Sequence, residues 1–179
     1  MTITETAPVK TDALVAHLLQ EFDLAYEMIL ELIDGFDNET ARTAPEGHMP
    51  ALWFLGHLMC SKDYVSGLYQ EGGISLSLEF YDKWAGDCDK VDWEGAPSLD
   101  EMLGLYKRIH ARLRELVATL GAEDLHRECP VEIQAPLDDY WKKRLGKLGS
   151  ALSLVQMHDA YHGGQLGSLR GALGMTVPF

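Results

Sequence analysis

The sequence has few cysteines and no pattern that pairs them. Cys60, Cys88 and Cys129 are odd in number, and no two of them are separated by two residues. We therefore expect neither a disulfide framework nor a cysteine zinc site, and a reducing compartment suits the chain. The first residues, MTITETAPVKTDALV, have neither a basic start nor an apolar signal core, so the cytoplasm is the expected location.

The sequence also lacks long apolar runs and an excess of basic residues. No uncharged apolar stretch is long enough to span a bilayer. The chain has 15 lysines and arginines against 28 aspartates and glutamates, which gives a formal net charge of -13. Because such a surface repels phosphate groups, we expect no nucleic-acid partner and no membrane partner. A small-molecule substrate is the expected ligand.

The pattern of apolar residues predicts one domain built from α-helices. Hydrophobic residues make up 46% of the 179 residues, enough for a full-sized core, and no repeat divides the chain. Apolar residues recur with the period of a helix in four stretches, roughly residues 11–33, 50–69, 98–121 and 150–174. We predict a single all-α domain over residues 1–179, a four-helix bundle with a loose tail at residues 1–10.

Capping residues and turn-forming residues mark the ends of these helices. Pro50 suits the first turn of the second helix. Ser98 and Glu101 form the pattern of a capping box, in which each side chain binds the backbone N–H of the other residue. Residues 74–97 and 122–149 are predicted to be long connections, and the second leaves room for a short strand or a turn of helix.

Two histidines in the last predicted helix indicate chemistry. His158 and His162 are four residues apart, so they lie on the same face of a helix, and Gln165 follows one turn later. All three interrupt an apolar stripe, and a buried imidazole needs a compensating partner. A transition-metal ion is one such partner, since two histidines at this spacing can reach the same ion. The alternative is a pair of core histidines bonded to backbone or, through water, to each other.

Two ligands bind a metal weakly, so a third is expected from another helix. His57 is the best candidate because it lies in the middle of the second helix, on an inward stripe that also holds Trp53 and Tyr64. Glu21 is the carboxylate best placed to face inward. The other histidines lie at the edges of apolar stripes or in connections: His17, His110, His48 and His126.

Two stretches of the chain resemble the signature stretches of the DinB/YfiT-like family. These are ALWFLGHL at 51–58 and MHDAYHGGQLGSLRGALG at 157–174. The matching positions are Gly56-His57-Leu58, then His158, His162, Gly164 and Gln165, then Arg170 and Leu173-Gly174. The order of the helices and the chain length also match, so the resemblance covers most of the chain except the two long connections.

The resemblance implies a four-helix bundle with a metal site formed by His57, His158 and His162, with nickel or zinc as the typical ion. It also implies relatives among bacterial transferases and isomerases that use mycothiol or bacillithiol. The expected function is therefore a metal-dependent S-transferase, or a related transferase or isomerase, with a low-molecular-weight thiol as co-substrate and a small electrophile as substrate. The alternatives are a non-catalytic stress-response protein that binds a small molecule or a metal, and a metal-free interaction bundle.

Several neighbours of the histidines are candidates for supporting roles. Gln165 is predicted to bind the metal-bound species, with ordinary packing as the alternative. Trp53, Tyr64 and Tyr161 are predicted to line a pocket, although aromatic residues at helical spacing also form plain core. Asp159 could orient a ligand imidazole, but we predict a position at the surface or at the edge of its helix.

The rest of the last helix predicts packing contacts. Arg170 is expected on its flank, in an ion pair. The opposite face carries small residues, namely Ala160, Gly163, Gly164, Gly167 and Gly171. Glycine destabilises a helix relative to alanine, so this face predicts the close approach of another backbone. A neighbouring helix of the same bundle is the first interpretation, and a homodimer is the alternative.

Overall fold

The computed structural model describes residues 13–130 and 137–178, and α-helices dominate these residues. The six helices are α1 (Ala13–Ile33), α2 (Ala51–Tyr69), α3 (Leu78–Trp84), α4 (Leu99–Ala118), α5 (Asp139–Leu145) and α6 (Leu148–Ala172). Three short 3-10 turns connect them, Thr40–Arg42, Cys88–Lys90 and Ala122–His126. Within the described ranges, the only extended pairing is an isolated bridge between Glu128 and Lys147. The all-α prediction is confirmed, while the tail at residues 1–10 lies outside the described residues.

The four long helices are those predicted from the apolar period. α2 packs against α4 and α6, and α1 packs against α6 and α4. The buried residues form two clusters along the bundle, one around Phe54, Leu58 and Tyr106 and the other around Phe22, Leu113 and Leu152. Within the described part of the chain, no helix is both long and apolar enough to cross a membrane.

The capping residues act as predicted. Ser98 Oγ accepts a hydrogen bond from the backbone N–H of Glu101 at 3.3 Å, and the Glu101 carboxylate accepts from the backbone N–H of Ser98 at 2.7 Å. This reciprocal pair satisfies N–H groups that the first turn of α4 leaves without a helical partner. At the end of α1, Gly35 adopts a positive φ of 84°, which glycine accommodates without steric cost.

The two long connections each contain a helix that the sequence pattern did not predict. α3 lies within residues 74–97, and the side chain of Ser77, just before it, caps it by accepting from the backbone N–H of Phe80. α5 lies within residues 122–149, and Asp138 caps it in the same way by accepting from the backbone N–H of Trp141. Each of these helices has seven residues, too few for a helical period to stand out. Residues 131–136 of the second connection lie outside the described residues.

α3 packs closely on α2 at a position where α2 has no side chain. A Cβ added to Gly56 would lie 2.3 Å from Cε3 of Trp84, so only glycine allows the Trp84 ring to lie against the helix at this point. Trp84 is almost fully buried, at 2% exposure. The contact fixes the end of α3 next to His57, the residue that follows Gly56.

Arg170 is buried against the end of α1, which corrects the expected position on the flank of the last helix. Its guanidinium donates to the backbone carbonyls of Leu32, at 2.9 Å, and of Asp34, and also to Thr176 O at 2.8 Å. The last carbonyls of a helix have no helical partner, and a buried arginine satisfies them. Carbonyl acceptors thus take the place of the expected ion pair.

The small residues of α6 have different surroundings from one another. A Cβ on Gly163 would lie 2.6 Å from Cε of Met28 in α1, so this glycine allows α1 and α6 to pack closely. Gly164 and Gly171 are exposed. Apart from the neighbouring backbone of α6 itself, no described atom lies within 4 Å of a Cβ added at either position. The interpretation as packing within the bundle is therefore confirmed for Gly163 and not for Gly164 or Gly171.

A buried ion pair joins α2 to α6. Lys62 Nζ contacts the carboxylate of Asp159, and both side chains are fully buried. Our prediction of a surface or edge position for Asp159 was wrong. Lys62 pairs with this carboxylate inside the bundle and shields it from water, and the two residues are 97 positions apart in the chain. Burial raises the pKa of Asp159, whereas the charge and hydrogen bond of Lys62 lower it. Tyr106 lies nearby, with Lys62 Nζ 5.7 Å from the centre of its ring.

Candidate metal centre

The fold brings three histidines together at one end of the interface between α2 and α6. His57 comes from the first half of α2, and His158 and His162 come from successive turns of α6. Their ligand nitrogens all lie within 4.8 Å of one another. His57 and His158 are 101 residues apart, yet their Nε2 atoms are separated by only 3.1 Å. The predicted convergence of these three imidazoles is therefore present in the structure.

The ring of His57 is fixed by two neighbours. Its Nδ1–H donates to the backbone carbonyl of Trp84 at 3.1 Å, so we assign the proton to Nδ1 and the lone pair to Nε2. Trp53 stacks on the imidazole, with ring centres 4.5 Å apart and planes within 16°. Nε2 thus faces the other two histidines with a free lone pair, an arrangement typical of metal-binding histidines.

His162 is oriented in the same way by a side chain of its own helix. Its Nδ1–H donates to Gln165 Oε1 at 2.7 Å, which leaves the lone pair on Nε2. The amide of Gln165 in turn donates to the hydroxyl of Tyr161 at 3.2 Å. Gln165 therefore acts on the cluster through His162, and the residue spacing already placed it one turn beyond that histidine.

His158 occupies the middle of the cluster. Its Nε2 lies 3.1 Å from Nε2 of His57 and 3.0 Å from Nε2 of His162. One Nε2–H could donate to only one of these lone pairs, and Nδ1 of His158 is buried without a hydrogen-bond partner. A cation shared by all three nitrogens would satisfy them together. Ligand nitrogens at 2.0–2.1 Å from a tetrahedral zinc ion are about 3.3 Å apart, which is close to the two separations at His158.

Burial keeps these imidazoles in the neutral form that binds metals. Burial, and then the neighbouring His162, His57 and Lys62, lowers the pKa of His158 to about 3. Burial, and then the neighbouring His57, lowers the pKa of His162 to about 4. The pKa of His57 is lowered as well, again by burial. Near neutral pH, a divalent ion therefore does not have to displace protons from these rings.

The residues that we predicted around the histidines take four different positions. Tyr64 lines a cavity beside the cluster, whereas Trp53 lies behind His57. Tyr161 packs edge-on against His162 but is 63% exposed. Glu21 contacts residues outside the histidine cluster: it pairs with His17 at 3.2 Å and accepts a hydrogen bond from Gln156 at 3.0 Å.

The remaining histidines do not join the cluster. His110 is buried, with its Nε2 3.2 Å from Asp23 and its ring stacked on Tyr26. His48 contacts Ser168 at 3.2 Å through Nε2. His17 pairs with Glu21, and His126 is exposed in the last 3-10 turn. Of the seven histidines, the three that were predicted to share a metal are those that meet.

A cavity of about 460 Å³ opens between α2, α3, α5 and α6, with His57 and His158 in its wall. The rest of its lining is largely apolar and includes Tyr64, Tyr81, Leu137, Trp141, Leu145 and Leu154. Trp141 and Leu145 were not predicted, because they belong to α5, which has no clear helical period in the sequence. The cavity gives a small molecule access to two of the three imidazoles.

Comparison with protein families identifies the family of this chain. Comparison with curated proteins finds no match. The family model described as DinB superfamily matches residues 21–166, which is more than half of the chain and includes His57, His158 and His162. With the all-helical bundle and the three converging imidazoles, this match shows that the chain belongs to the DinB superfamily.

Proposed function

We propose that this chain is a metal-dependent enzyme that transfers a low-molecular-weight thiol to a small electrophile. His57, His158 and His162 would hold one divalent transition-metal ion, with nickel or zinc as the first candidates. The observation that carries the proposal is the convergence of three Nε2 lone pairs, two of them directed by hydrogen bonds at Nδ1. A related transferase or isomerase would use the same groups.

The chain's own residues account for orientation and access at this site. His57, His158 and His162 would hold a divalent ion with a coordination position left open, and that ion would supply a Lewis acid that stabilises a thiolate or hydroxide. The Trp84 carbonyl and the Trp53 ring hold His57, and Gln165 holds His162, so two of the three ligand nitrogens are oriented in advance. A direct contact between Gln165 and a metal-bound species stays a prediction.

A non-catalytic binding protein is the second candidate, and the cavity is the observation that favours it. Among the described residues of its lining, no aspartate, glutamate, lysine or arginine offers a general acid or base. A stress-response protein that sequesters a small molecule needs only such a cavity and a metal for the polar end of the ligand. Turnover distinguishes this candidate from the enzyme.

Thiol transfer by the metal-loaded protein tests the proposal. Untagged protein loaded with nickel or zinc would be assayed with a panel of thiols, mycothiol and bacillithiol included, against small electrophiles. We expect thiol consumption above the uncatalysed rate, and alanine at His57, His158 or His162 should lower it at least about a hundredfold. His126→Ala is the matched control and should keep full activity, because His126 is exposed and outside the cluster.

Stoichiometric metal without turnover across the panel would contradict the enzyme and favour the binding protein. Equal turnover in the His126 variant and in the three cluster variants would also contradict the proposal, since the activity would then not depend on the imidazoles.

A homodimer is a further proposal that rests on the outer face of α6. Gly164 and Gly171 are exposed, and a Cβ added to either would meet no described atom of another element, so a second copy of the chain could approach closely there. Met157 adds exposed apolar surface to the same helix, at 70% exposure. Sedimentation velocity should show a dimer, and a monomer at high protein concentration would end the proposal.

A further inference from the structure

The cavity beside the histidines selects its ligand by polarity. We infer that it takes an uncharged small molecule with an aromatic or aliphatic body and a single polar, reactive end directed at His57 and His158. This inference rests on the proposed function for the role of the reactive end, and on the cavity itself for the body of the ligand.

The composition of the wall excludes charged groups from the body of the ligand. Aromatic and aliphatic side chains from four helices form most of it, including Tyr64 from α2, Trp141 from α5 and Leu154 from α6. The described lining contains no aspartate, glutamate, lysine or arginine. A carboxylate or an ammonium group placed there would lose its water without gaining a partner, which is costly. An apolar body would replace water at no such cost.

The polar side chains in the wall are largely engaged elsewhere. The Tyr81 hydroxyl donates to Asp63 at 2.9 Å, and the Ser61 hydroxyl donates to the carbonyl of Leu58 at 2.9 Å. Burial, together with the charge of Asp63, raises the pKa of the Cys60 thiol to about 12, so this thiol stays neutral. The Tyr64 hydroxyl and the Trp141 ring N–H also belong to the wall. We place the polar atom of the ligand at the imidazoles because a metal ion held there would bind it.

The polarity of the wall also indicates where the electrophile and the thiol each bind. A thiol of the mycothiol type has a polar body, which fits poorly among Leu145, Leu154 and Trp141. We therefore place the electrophile in the cavity, and the thiol on the outer side of the histidines, where Tyr161 and Gln165 are exposed.

Binding of an uncharged fluorescent probe tests this assignment. N-phenyl-1-naphthylamine would be titrated onto the full chain, and its anionic relative, anilinonaphthalene sulfonate, onto a parallel sample. We expect saturable binding of the uncharged probe and at least about tenfold weaker binding of the anion. Leu154→Trp, which fills the cavity from α6, should weaken binding of the uncharged probe at least about tenfold.

Two further variants keep the test independent of folding defects. Met157→Trp introduces the same residue on α6 but outside the cavity, where Met157 is 70% exposed, and it should leave probe affinity within about twofold. Trp141→Ala removes an aromatic wall from a short helix at the edge of the bundle and should weaken binding about fivefold or more. Circular dichroism would confirm that each variant is folded.

Copper(II) provides a second readout, because it binds imidazole tightly and quenches a fluorophore in contact with it. We expect copper bound at the histidines to quench the uncharged probe. Equal affinity for the two probes, no effect of Leu154→Trp, or no quenching by bound copper would overturn the inference. Cavity-dependent probe binding by a chain that binds no metal would instead refute the proposed function and leave the apolar selectivity of the cavity standing.

Discussion

Replacing His158 with alanine is expected to lower the affinity of the protein for nickel or zinc by at least about a hundredfold. His158 is the residue whose Nε2 lies within 3.1 Å of both other ligand nitrogens, so its loss leaves His57 and His162 with an incomplete site. Loss of a residue that only orients a ligand costs about tenfold to a hundredfold in metal affinity, and removal of a ligand costs more. Competition with a chromophoric chelator measures the change.

Two further variants provide reference values for this loss of metal affinity. His126→Ala removes an exposed histidine outside the cluster and should leave the metal affinity unchanged. Gln165→Ala removes the acceptor of the His162 Nδ1–H and should have an intermediate effect, about tenfold. Metal affinity that is the same in the His158 and His126 variants would show that the ion binds elsewhere on this acidic chain.

Lys62→Met is expected to lower the free energy of unfolding by about 3–5 kcal/mol, the largest effect on stability that we predict. Lys62 and Asp159 are both fully buried, so the substitution leaves the carboxylate of Asp159 inside the bundle without its cation. An isolated buried carboxylate is costly or takes up a proton. Urea unfolding followed by circular dichroism measures the change, with metal-free protein so that ligand binding does not contribute.

A double variant separates the uncompensated charge from the loss of packing. Lys62→Met combined with Asp159→Leu replaces both charged groups with apolar groups of similar size, so it should recover most of the lost stability. A double variant as unstable as Lys62→Met alone would contradict this explanation.

The parts of the fold that the sequence predicted are those with local signals. The apolar period over α1, α2, α4 and α6 spans several turns, so these four helices could be identified. The capping box of Ser98 and Glu101 involves residues three apart and was found for the same reason. α3 and α5 have only seven residues each, and a helix of two turns leaves no clear period.

In the candidate site, too, the features with a local signal in the sequence were predicted and those that depend on distant contacts were not. The spacing of His158 and His162 fixed their common direction, and the inward stripe of α2 identified His57. What the spacing could not provide were contacts between distant parts of the chain, such as the Trp84 carbonyl that orients His57 and the lysine that pairs with Asp159. Burial of Asp159 was missed because a charged side chain is expected at the surface until its partner is known.

Elemental analysis of untagged protein beside the variant with alanine at His57, His158 and His162 tests the central claim most directly. Both proteins would be incubated with nickel or zinc and then freed of loosely bound ions. We expect about one transition-metal ion per chain in the unaltered protein and essentially none in the triple variant. Equal metal content in the two proteins, or none in either, would contradict the assignment of these three imidazoles as metal ligands.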